Sequence, residues 1–579
     1  NTVSPMGSRL LKKWVILPLR NQSEIEARLN AVTWFFDNVE QGNEISKLLI
    51  KLGDLERLIS RVPMCKINPR EVNQLKKSLS VINPLKNLLF SSNLGTLKQF
   101  AESLNPCDSL SERISKQLVD DPPVNLFKGG VISDGFSSEL DQWRFIINNS
   151  KELLINLQQK EIEKSGIQNL KIGYNSVFGY YLEVTNKHKD VTPSDWIRKQ
   201  TLSNGERFVT EELKVLEAKI LQAEEKCIEI ENQLFNQLVF DLQTYILPIQ
   251  INAQVAAQVD CLLSFATNAK KYNYTRPIVN QTYSIDIKQG RHPVIEQKLP
   301  IGEYYVPNDT FLDNEQQQIL MITGPNMAGK SAILRQTALI CLMAQMGSFV
   351  PAQSAEIGIL DKVFTRVGAS DNISSGESTF MVEMNETASI LNNISSRSLV
   401  LLDEIGRGTS TYDGISIAWS IAEFLHENKL CIAKTLFATH YHELNALEER
   451  FPRIHNFHIS TREIDKKIIF LRKLTLGGSE HSFGIHVAKM SGMPKSIIER
   501  AVEILTELEN KRLEGNPDLK NKVSSISKRM PEAVQLSIFE TVDPVAGQIK
   551  ETLINLDINT MTPIDCMLKI RELKILLES

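Results

Sequence analysis

The sequence has few cysteines, and none of them stand at metal-binding spacing. Seven cysteines are scattered through 579 residues, and no Cys-x-x-Cys pair occurs. This scarcity argues against a zinc ribbon and against a secreted scaffold held together by disulfide bonds. The cysteine pattern is typical of a protein that works in a reducing compartment.

Long apolar runs and a large net charge are also missing. No uninterrupted apolar run approaches the ~20 residues that a membrane span needs, so we expect a cytoplasmic protein with no membrane partner. The net charge is only −4, and the overall composition therefore gives no indication of a nucleic-acid partner. Any surface that binds DNA must arise from a local cluster of residues.

The length and the apolar content together indicate several folded domains. Hydrophobic residues make up 42% of the 579 residues, which is enough to bury more than one core. Up to about residue 165, apolar residues recur at spacings of three and four, a pattern that predicts helices. The stretch LKIGYNSVFGYYLEVT, residues 170–185, predicts a β-hairpin, and an amphipathic helical pattern resumes at residue 211. This order predicts a long helical arm that carries a small β-containing tip.

The pattern changes to α/β from about residue 285. Three short apolar runs, QQILMIT, SLVLLDE and KTLFATH, each end in polar residues. Such runs are typical of buried parallel strands whose carboxyl ends carry functional side chains. The predicted fold class is therefore multidomain, α in the arm and α/β in the second half.

A phosphate-binding loop follows the first of these runs. Gly324 is separated by four residues from Gly329, Lys330 and Ser331, and a good helical pattern comes next. Glycines let backbone N–H groups approach phosphates, and a helix N-terminus favours negative charge. We expect Lys330 to reach the β- and γ-phosphates of a nucleotide and the Ser331 hydroxyl to ligate Mg²⁺. The rest of the predicted nucleotide-binding loop is Pro325, Asn326, Met327 and Ala328.

The other two apolar runs end in candidate catalytic side chains. Asp403 can hold the Mg²⁺ ion, and Glu404 beside it can orient and polarise an attacking water. Taken alone, this acidic pair would be an ordinary solvated strand end, but the preceding phosphate loop favours a catalytic role. His440 follows the third run and is predicted to sense the γ-phosphate, although a lone histidine is more often structural.

A second anion-binding helix start is predicted in SSGESTFMVEM, residues 374–384. Small hydroxyl residues and a glycine precede an amphipathic helix there. Within one subunit this element would be redundant, because the phosphates already have a loop. It makes sense if it faces the nucleotide of another subunit, so that two composite sites are shared across a dimer.

These motifs, taken together, resemble the MutS family of DNA mismatch repair proteins, which belongs to the ABC-type ATPases. The resemblance is carried by TGPNMAGKS, LLDEIGRGTSTYDG, FATHYHEL and SSGESTFMVEM, and extends to GRHPVIE, RKQTLSNGERFVTEELK and SFGIHVAKMSGMPKSIIERA. It implies six segments: a lever region at 1–168, a DNA clamp at 169–228, returning lever helices at 229–280, an ABC-type ATPase domain with a helix-turn-helix dimerisation element at 281–508, a flexible linker at 509–542 and oligomerisation helices at 543–579.

The resemblance also implies roles for individual residues. Asn326 would help to organise the γ-phosphate, Tyr305 would stack on adenine, and Ser378 would reach the nucleotide of the partner subunit. Ala332 and Ile333 depart from the threonine and tyrosine that are commoner after the serine, but neither supplies a phosphate ligand. DNA phosphates would be contacted at the clamp, although by composition alone these residues form an ordinary solvated loop. The predicted DNA-binding residues are Arg198, Lys199, Asn204 and Arg207.

The peptide QLSIF near the end of the chain resembles the short segment by which bacterial repair proteins dock into the sliding clamp. Leu536, Ile538 and Phe539 would be its apolar anchors, and Gln535 with Ser537 would complete the motif. The alternative is that this peptide packs against the terminal helices. The polar residues that precede it favour docking.

The resemblance implies a DNA-dependent ATP hydrolase that uses ATP and Mg²⁺ and acts as a homodimer or tetramer on double-stranded DNA. Its partners would be a MutL-type repair factor and the sliding clamp, in the bacterial cytoplasm at the nucleoid. The alternative is a MutS-like ATPase that acts on recombination junctions or ribosomes. The sequence opens at Asn1 in a lever-like segment, so we expect it to lack the mismatch-recognition domain and the connector domain of the family.

Overall fold

A computed structural model of the protein describes residues 2–175, 179–202, 204–300, 302–325, 328–367, 378–464, 467–478 and 484–513. The chain divides into two compact units, Asn1–Val487 and Ala488–Ser579. The predicted docking peptide at 535–539 and the predicted terminal helices lie outside the described residues, as do Asn326, Met327 and residues 374–377.

The first part of the larger unit is helical, as the apolar spacing predicts. Polar caps define its helix starts: the Ser4 side chain accepts from the Gly7 N–H, and Asn68 forms a capping box with Glu71. The helices are α1 Pro5–Ile16, α2 Gln22–Asp37, α3 Val39–Leu52, α4 Leu55–Ser60, α5 Pro69–Leu79, α6 Ile82–Phe90, α7 Gly95–Ser103, α8 Asp108–Gln117, α9 Ser138–Asn148 and α10 Ser150–Ser165.

Two long helices, α11 Glu211–Leu242 and α12 Ile246–Tyr272, return along this region. Helix α12 is apolar on most sides because it packs against α1 and α2 and is largely buried. The stretch Glu211–Tyr272 contains an 18-residue window with a mean hydropathy of 1.2, enough by length and composition for a membrane span. The expectation from uninterrupted apolar runs missed this window. It is 61% buried inside the protein, which is typical of a core helix.

A four-stranded antiparallel sheet lies between α10 and α11, in the order β1-β2-β4-β3. The predicted hairpin is confirmed, since Asn175 at the end of one strand pairs with Gly179 at the start of the next. Leu182, Trp196 and Phe208 belong to a separate small core beneath the sheet. The strands are β1 Lys171–Asn175, β2 Gly179–Thr185, β3 Ile197–Leu202 and β4 Gly205–Val209.

The α/β part contains two sheets. One has the order β5-β9-β6-β7, and the other has the order β10-β11-β12-β8-β13-β14 with parallel pairing from β10 to β13. The strands are β5 Ile278–Asn280, β6 Ile285–Gly290, β7 Asn308–Leu312, β8 Ile319–Thr323, β9 Ser354–Gly358, β10 Val363–Arg366, β11 Leu399–Asp403, β12 Lys434–Ala438, β13 Ile454–Ile464 and β14 Lys467–Leu476.

The three apolar runs of the sequence are the adjacent central strands β8, β11 and β12, and almost all of their residues are buried. The prediction of buried parallel strands is therefore confirmed. The helices of this part are α13 Lys330–Gln345, α14 Thr379–Leu391, α15 Thr411–Glu427, α16 Leu447–Arg450 and α17 Gly484–Met490, and α18 Lys495–Leu513 belongs to the second unit.

The mixed α and α/β fold class agrees with the structure. The division into six segments stays a prediction, and one of its boundaries, between residues 228 and 229, falls inside the single helix α11.

Candidate active site

The predicted phosphate loop joins β8 to α13 at the carboxyl edge of the parallel sheet. Gly329 is the N-cap of α13 and has a φ of 107°, a left-handed conformation that favours glycine. Gly324 opens the loop, and the Ala328 N–H donates to the carbonyl of Pro325 at 3.3 Å. The first N–H groups of α13 have no earlier helical turn to bond to, so this loop can bind an anion.

Lys330 lies inside the loop and is almost completely buried, with 4% of its side chain exposed. Its Nζ donates to the carbonyl of Gly324 at 2.6 Å and lies 3.9 Å from Oε1 of Glu404. Burial lowers the pKa of Lys330, and the nearby carboxylates of Glu404 and Asp403 oppose that shift. The ammonium group is thus held at the phosphate loop beside the candidate catalytic acid.

Ser331 and Asp403 meet across the loop, as the predicted metal site requires. Burial, the larger effect, raises the pKa of the Asp403 carboxylate above its ordinary value, and Ser331 lies close enough to this carboxylate to lower that pKa. Oδ1 of this carboxylate is buried and has no hydrogen-bond partner among the described residues. A hydroxyl beside a carboxylate with an unpartnered oxygen is a donor set that suits Mg²⁺. The residues present therefore fit the ion.

Glu404 occupies a strained turn immediately after β11. Its φ is 53°, which is uncommon for a residue with a side chain, and its N–H donates to the carbonyl of Ala438 on β12 at 2.9 Å. Oε2 of Glu404 accepts from the Arg407 guanidinium at 2.6 Å. Backbone strain of this kind costs about 1–3 kcal/mol and is common at functional sites. The turn directs the carboxylate toward Lys330.

His440 follows β12 on the same edge of the sheet. Burial lowers the pKa of His440, so the neutral imidazole is favoured at neutral pH, and the nearby Glu404 carboxylate opposes the shift. Its ring packs against Tyr441, with ring centroids 4.1 Å apart. The structure therefore brings Lys330, Ser331, Asp403, Glu404 and His440 to one edge of the parallel sheet.

Tyr305 lies against the helix that follows the phosphate loop. Its hydroxyl donates to Oε1 of Gln336 on α13 at 2.9 Å, and burial raises the pKa of Tyr305 to about 12. Ser378 is the N-cap of α14, where its side chain accepts from the Met381 N–H at 3.2 Å. The structure thus links Tyr305 to the phosphate-loop helix and Ser378 to a helix start, and their roles stay predictions.

The predicted DNA-binding residues all lie on or beside the β3–β4 hairpin, but in two different environments. Arg198, Lys199 and Asn204 are exposed, and Lys199 lies at a register shift in the β3–β4 pairing. Arg207 is only 17% exposed: its guanidinium stacks over Tyr181 at 4.1 Å and donates to Gln200 at 2.9 Å. Lys199 and Asn204 are available to a ligand. Arg198 is exposed but pairs with Glu206 at 3.2 Å, and Arg207 also holds the sheet together.

Sequence reasoning missed Arg407, Glu383 and Tyr441, which surround the Glu404 turn. Arg407 bonds to Glu404, Glu383 accepts from the Gly406 N–H, and Tyr441 donates to the Gly406 carbonyl. All three lie inside motifs already quoted, and for Arg407 and Tyr441 the signal was their position beside Glu404 and His440. The contact of Glu383 with Gly406 spans 23 residues and has no local signal.

Comparison with known proteins places this site in a family. Residues 1–266 match the family profile MutS domain III, and residues 320–509 match MutS domain V. Three relatives carry the name DNA mismatch repair protein MutS. The one from Phocaeicola vulgatus is 56% identical and the match covers 99% of this chain and 66% of the relative. The one from Christiangramia forsetii is 56% identical, with 99% of this chain and 65% of the relative covered, and the one from Cytophaga hutchinsonii is 55% identical, with 100% of this chain and 67% of the relative covered. The chain thus spans about two thirds of the length of these curated relatives.

Proposed function

Because the chain belongs to the MutS family of DNA mismatch repair proteins, we propose that it is a DNA-dependent ATP hydrolase that couples nucleotide state to its hold on DNA. The observation that carries this proposal is the convergence of Lys330, Ser331, Asp403 and Glu404 at one edge of a parallel sheet. A phosphate loop, a metal-binding hydroxyl and carboxylate, and a second acid are the parts that phosphoryl transfer to water requires.

In this proposal each residue acts at a stated atom. Backbone N–H groups of residues 329–331 and Nζ of Lys330 bind the phosphates of ATP, and Oγ of Ser331 and the carboxylate of Asp403 would hold Mg²⁺. When bound, the ion neutralises charge on the β- and γ-phosphates. The Glu404 carboxylate orients a water for in-line attack, and ADP and phosphate are released. His440 senses the γ-phosphate, and Tyr305 stacks on adenine.

The active form in this proposal is a dimer or a tetramer. Ser378, at the start of α14, contacts the nucleotide of the partner subunit, so that each site is completed by the other chain. ATP binding changes the dimer from a searching form to a sliding clamp on double-stranded DNA, which recruits a MutL-type factor. The peptide 535–539 docks into the replication sliding clamp. The protein works in the bacterial cytoplasm at the nucleoid.

We favour action on mismatched DNA over the alternative of a MutS-like ATPase that acts on recombination junctions or ribosomes. The sheet β1–β4 between α10 and α11 supports this choice, because that alternative subfamily lacks a clamp tip. Exposed Arg198 and Lys199 on this sheet neutralise DNA phosphates without reading sequence.

The first experiment measures both activities of the 579-residue chain. We expect Mg²⁺-dependent phosphate release from ATP, and we expect fluorescence anisotropy to give equal affinity for a G·T-mismatched duplex and its matched twin, because none of the residues assigned to DNA contact reads a mismatch. Both duplexes are compared at one stated salt concentration, with and without ATP. Absence of phosphate release would contradict the proposed ATPase. A clear preference for the mismatch would mean that recognition involves other residues of this chain.

A double substitution tests the assigned DNA contact. Changing Arg198 and Lys199 together to alanine is expected to weaken duplex binding. The negative slope of log K for DNA association against log salt concentration should become shallower by about 1.8, since each phosphate contact contributes about 0.9. ATP hydrolysis without DNA should not change. Lys47→Ala, an exposed lysine on α3, is the matched control. An unchanged salt slope in the double variant would remove the β3–β4 hairpin from the DNA-binding surface.

A further inference from the structure

A buried ion pair lies behind the turn that carries Glu404. Arg366, the last residue of β10, is 4% exposed and donates to Oε2 of Glu383 on α14 at 3.3 Å. Its Nε lies 3.2 Å from the carboxylate of Glu386, one helical turn further along. Replacing a buried ion pair by apolar residues often leaves the stability of a folded protein unchanged or increases it. Stability alone is therefore a weak explanation for this ion pair.

The second oxygen of Glu383 makes a contact of a different kind. Oε1 accepts from the backbone N–H of Gly406 at 2.6 Å, and the Gly406 carbonyl accepts from the Tyr441 hydroxyl at 2.8 Å. The peptide groups on both sides of Gly406 are therefore fixed by side chains from two other elements. Gly406 has a φ of 86°, and a Cβ atom there would lie 2.6 Å from the Gly414 carbonyl oxygen, so only glycine fits.

Gly406 is two residues beyond Glu404, and this short distance along the chain connects the ion pair to the catalytic acid. The Glu404 N–H is bound to β12, and the Gly406 N–H is bound to Glu383. Since the left-handed conformation of Glu404 is unfavourable in itself, contacts on both sides are needed to keep it. The direction of the Glu404 carboxylate thus depends on the position of Glu383.

Glu383 also belongs to the helix that begins at Ser378. Ser378 is the N-cap of this helix, and four residues lie between Ser378 and Glu383, so the two are about 7.5 Å apart along the axis. A rigid helix that shifts at its start moves Glu383 with it, and Glu383 is bonded to the Glu404 turn. The contacts therefore run without a gap from the start of α14 to the turn of the candidate catalytic acid.

We propose that Glu383 is a positioning residue that fixes the Glu404 turn to α14, so that the position of α14 regulates ATP hydrolysis in the same chain. This inference rests on the proposed ATPase function. Arg366 holds Glu383 from β10, and Tyr441 holds the same turn through the Gly406 carbonyl.

The test compares two acids that share one arginine. Glu383→Gln keeps the size of the side chain. Its amide has one acceptor oxygen instead of two, so it cannot accept from both Arg366 and the Gly406 N–H, and the bond to Gly406 is disturbed. We expect its single-turnover rate of ATP hydrolysis to fall about tenfold or more, since a displacement of about 1 Å can cost a hundredfold, while the Kd for ATP changes less than twofold. Glu386→Gln is the matched control: Glu386 pairs with Arg366, is 52% exposed and has no hydrogen bond to Gly406 among the described contacts. Its rate should stay within twofold of the parent chain.

A second variant keeps the inference falsifiable if Glu383→Gln does not fold. Tyr441→Phe removes the hydroxyl that donates to the Gly406 carbonyl and should lower the single-turnover rate several-fold at unchanged ATP affinity. Equal rates for the parent chain and Glu383→Gln would overturn the inference, and so would equal losses in Glu383→Gln and Glu386→Gln. If Glu383→Gln does not fold, a normal rate in Tyr441→Phe would overturn it. A parent chain that releases no phosphate would contradict the proposed function itself.

Discussion

Replacing Glu404 by alanine is expected to reduce steady-state ATP hydrolysis by about 10²- to 10⁴-fold while ATP still binds. A positioned general base contributes rate enhancement of this size. ATP binding and ATP hydrolysis are assigned to different segments of the structure. Phosphate binding is assigned to the loop around Lys330, whereas Glu404 belongs to the turn after β11. Loss of the carboxylate removes the group that is proposed to orient water and leaves the backbone N–H groups of the loop unchanged.

The measurement pairs phosphate release with equilibrium binding of a fluorescent ATP analogue. Glu404→Gln, which keeps the size of the side chain, should behave like Glu404→Ala, because the carboxylate charge is what polarises water. Glu423→Ala on α15 replaces an exposed acid on the helix that follows the same turn and should leave both quantities unchanged. Normal phosphate release from Glu404→Ala would remove Glu404 from its assigned role.

Replacing Lys330 by alanine is expected to weaken ATP binding itself by roughly ten- to a hundredfold. This range corresponds to the ~1.5–3 kcal/mol of a hydrogen bond to a charged group. Nζ of Lys330 lies at the phosphate loop and bonds to the carbonyl of Gly324, which shows that the side chain remains folded over the loop. No other lysine or arginine of the phosphate loop, residues 324–331, can replace this charge.

The stability of the folded protein without nucleotide should not fall when the Lys330 charge is removed, and Lys330→Met tests this. Burial lowers the pKa of Lys330 in the folded protein, so the protonated form is disfavoured there relative to the unfolded chain. At neutral pH the charge therefore costs folding free energy, and this cost disappears as pH rises through the folded and then the unfolded pKa. Lys330→Met, which keeps most of the volume, should melt at or above the temperature of the parent chain without nucleotide.

Thermal unfolding with and without ATP separates these two effects. ATP should raise the melting temperature of the parent chain, because a ligand that binds only the folded state stabilises it, and the same ATP concentration should raise that of Lys330→Met by less. A variant that keeps the full ATP-induced shift would contradict the assignment of the phosphate loop. A large loss of stability without nucleotide would contradict the argument from burial.

Much of the site could be predicted from the sequence because its residues stand next to strong local patterns. The phosphate loop lies between an apolar strand and a helix, and Asp403, Glu404 and His440 directly follow apolar runs. Parallel strands place their carboxyl ends at one edge of a sheet, so the strand pattern alone predicts that these side chains are neighbours. The hairpin at 171–185 was equally local.

Other features depend on which segments lie next to each other in the folded protein, and no local sequence pattern predicts them. Arg198 and Arg207 look alike in the sequence, yet one is exposed and the other is stacked on Tyr181. The apolar window in Glu211–Tyr272 resembles a membrane span by composition, but its packing against α1 and α2 makes it a core helix.

The sequence by itself determined which groups the candidate site offers: a glycine-rich loop proposed for phosphate, a hydroxyl and a carboxylate proposed for Mg²⁺, and an acid proposed for water. Those properties belong to residue types at fixed spacing along the chain. Only the tertiary structure decided how the Glu404 turn is held, with its backbone bonded to β12 on one side and to Glu383 of α14 on the other. The physical reason is that hydrogen bonds and burial depend on which segments meet in space, and that follows from the packing of the whole fold.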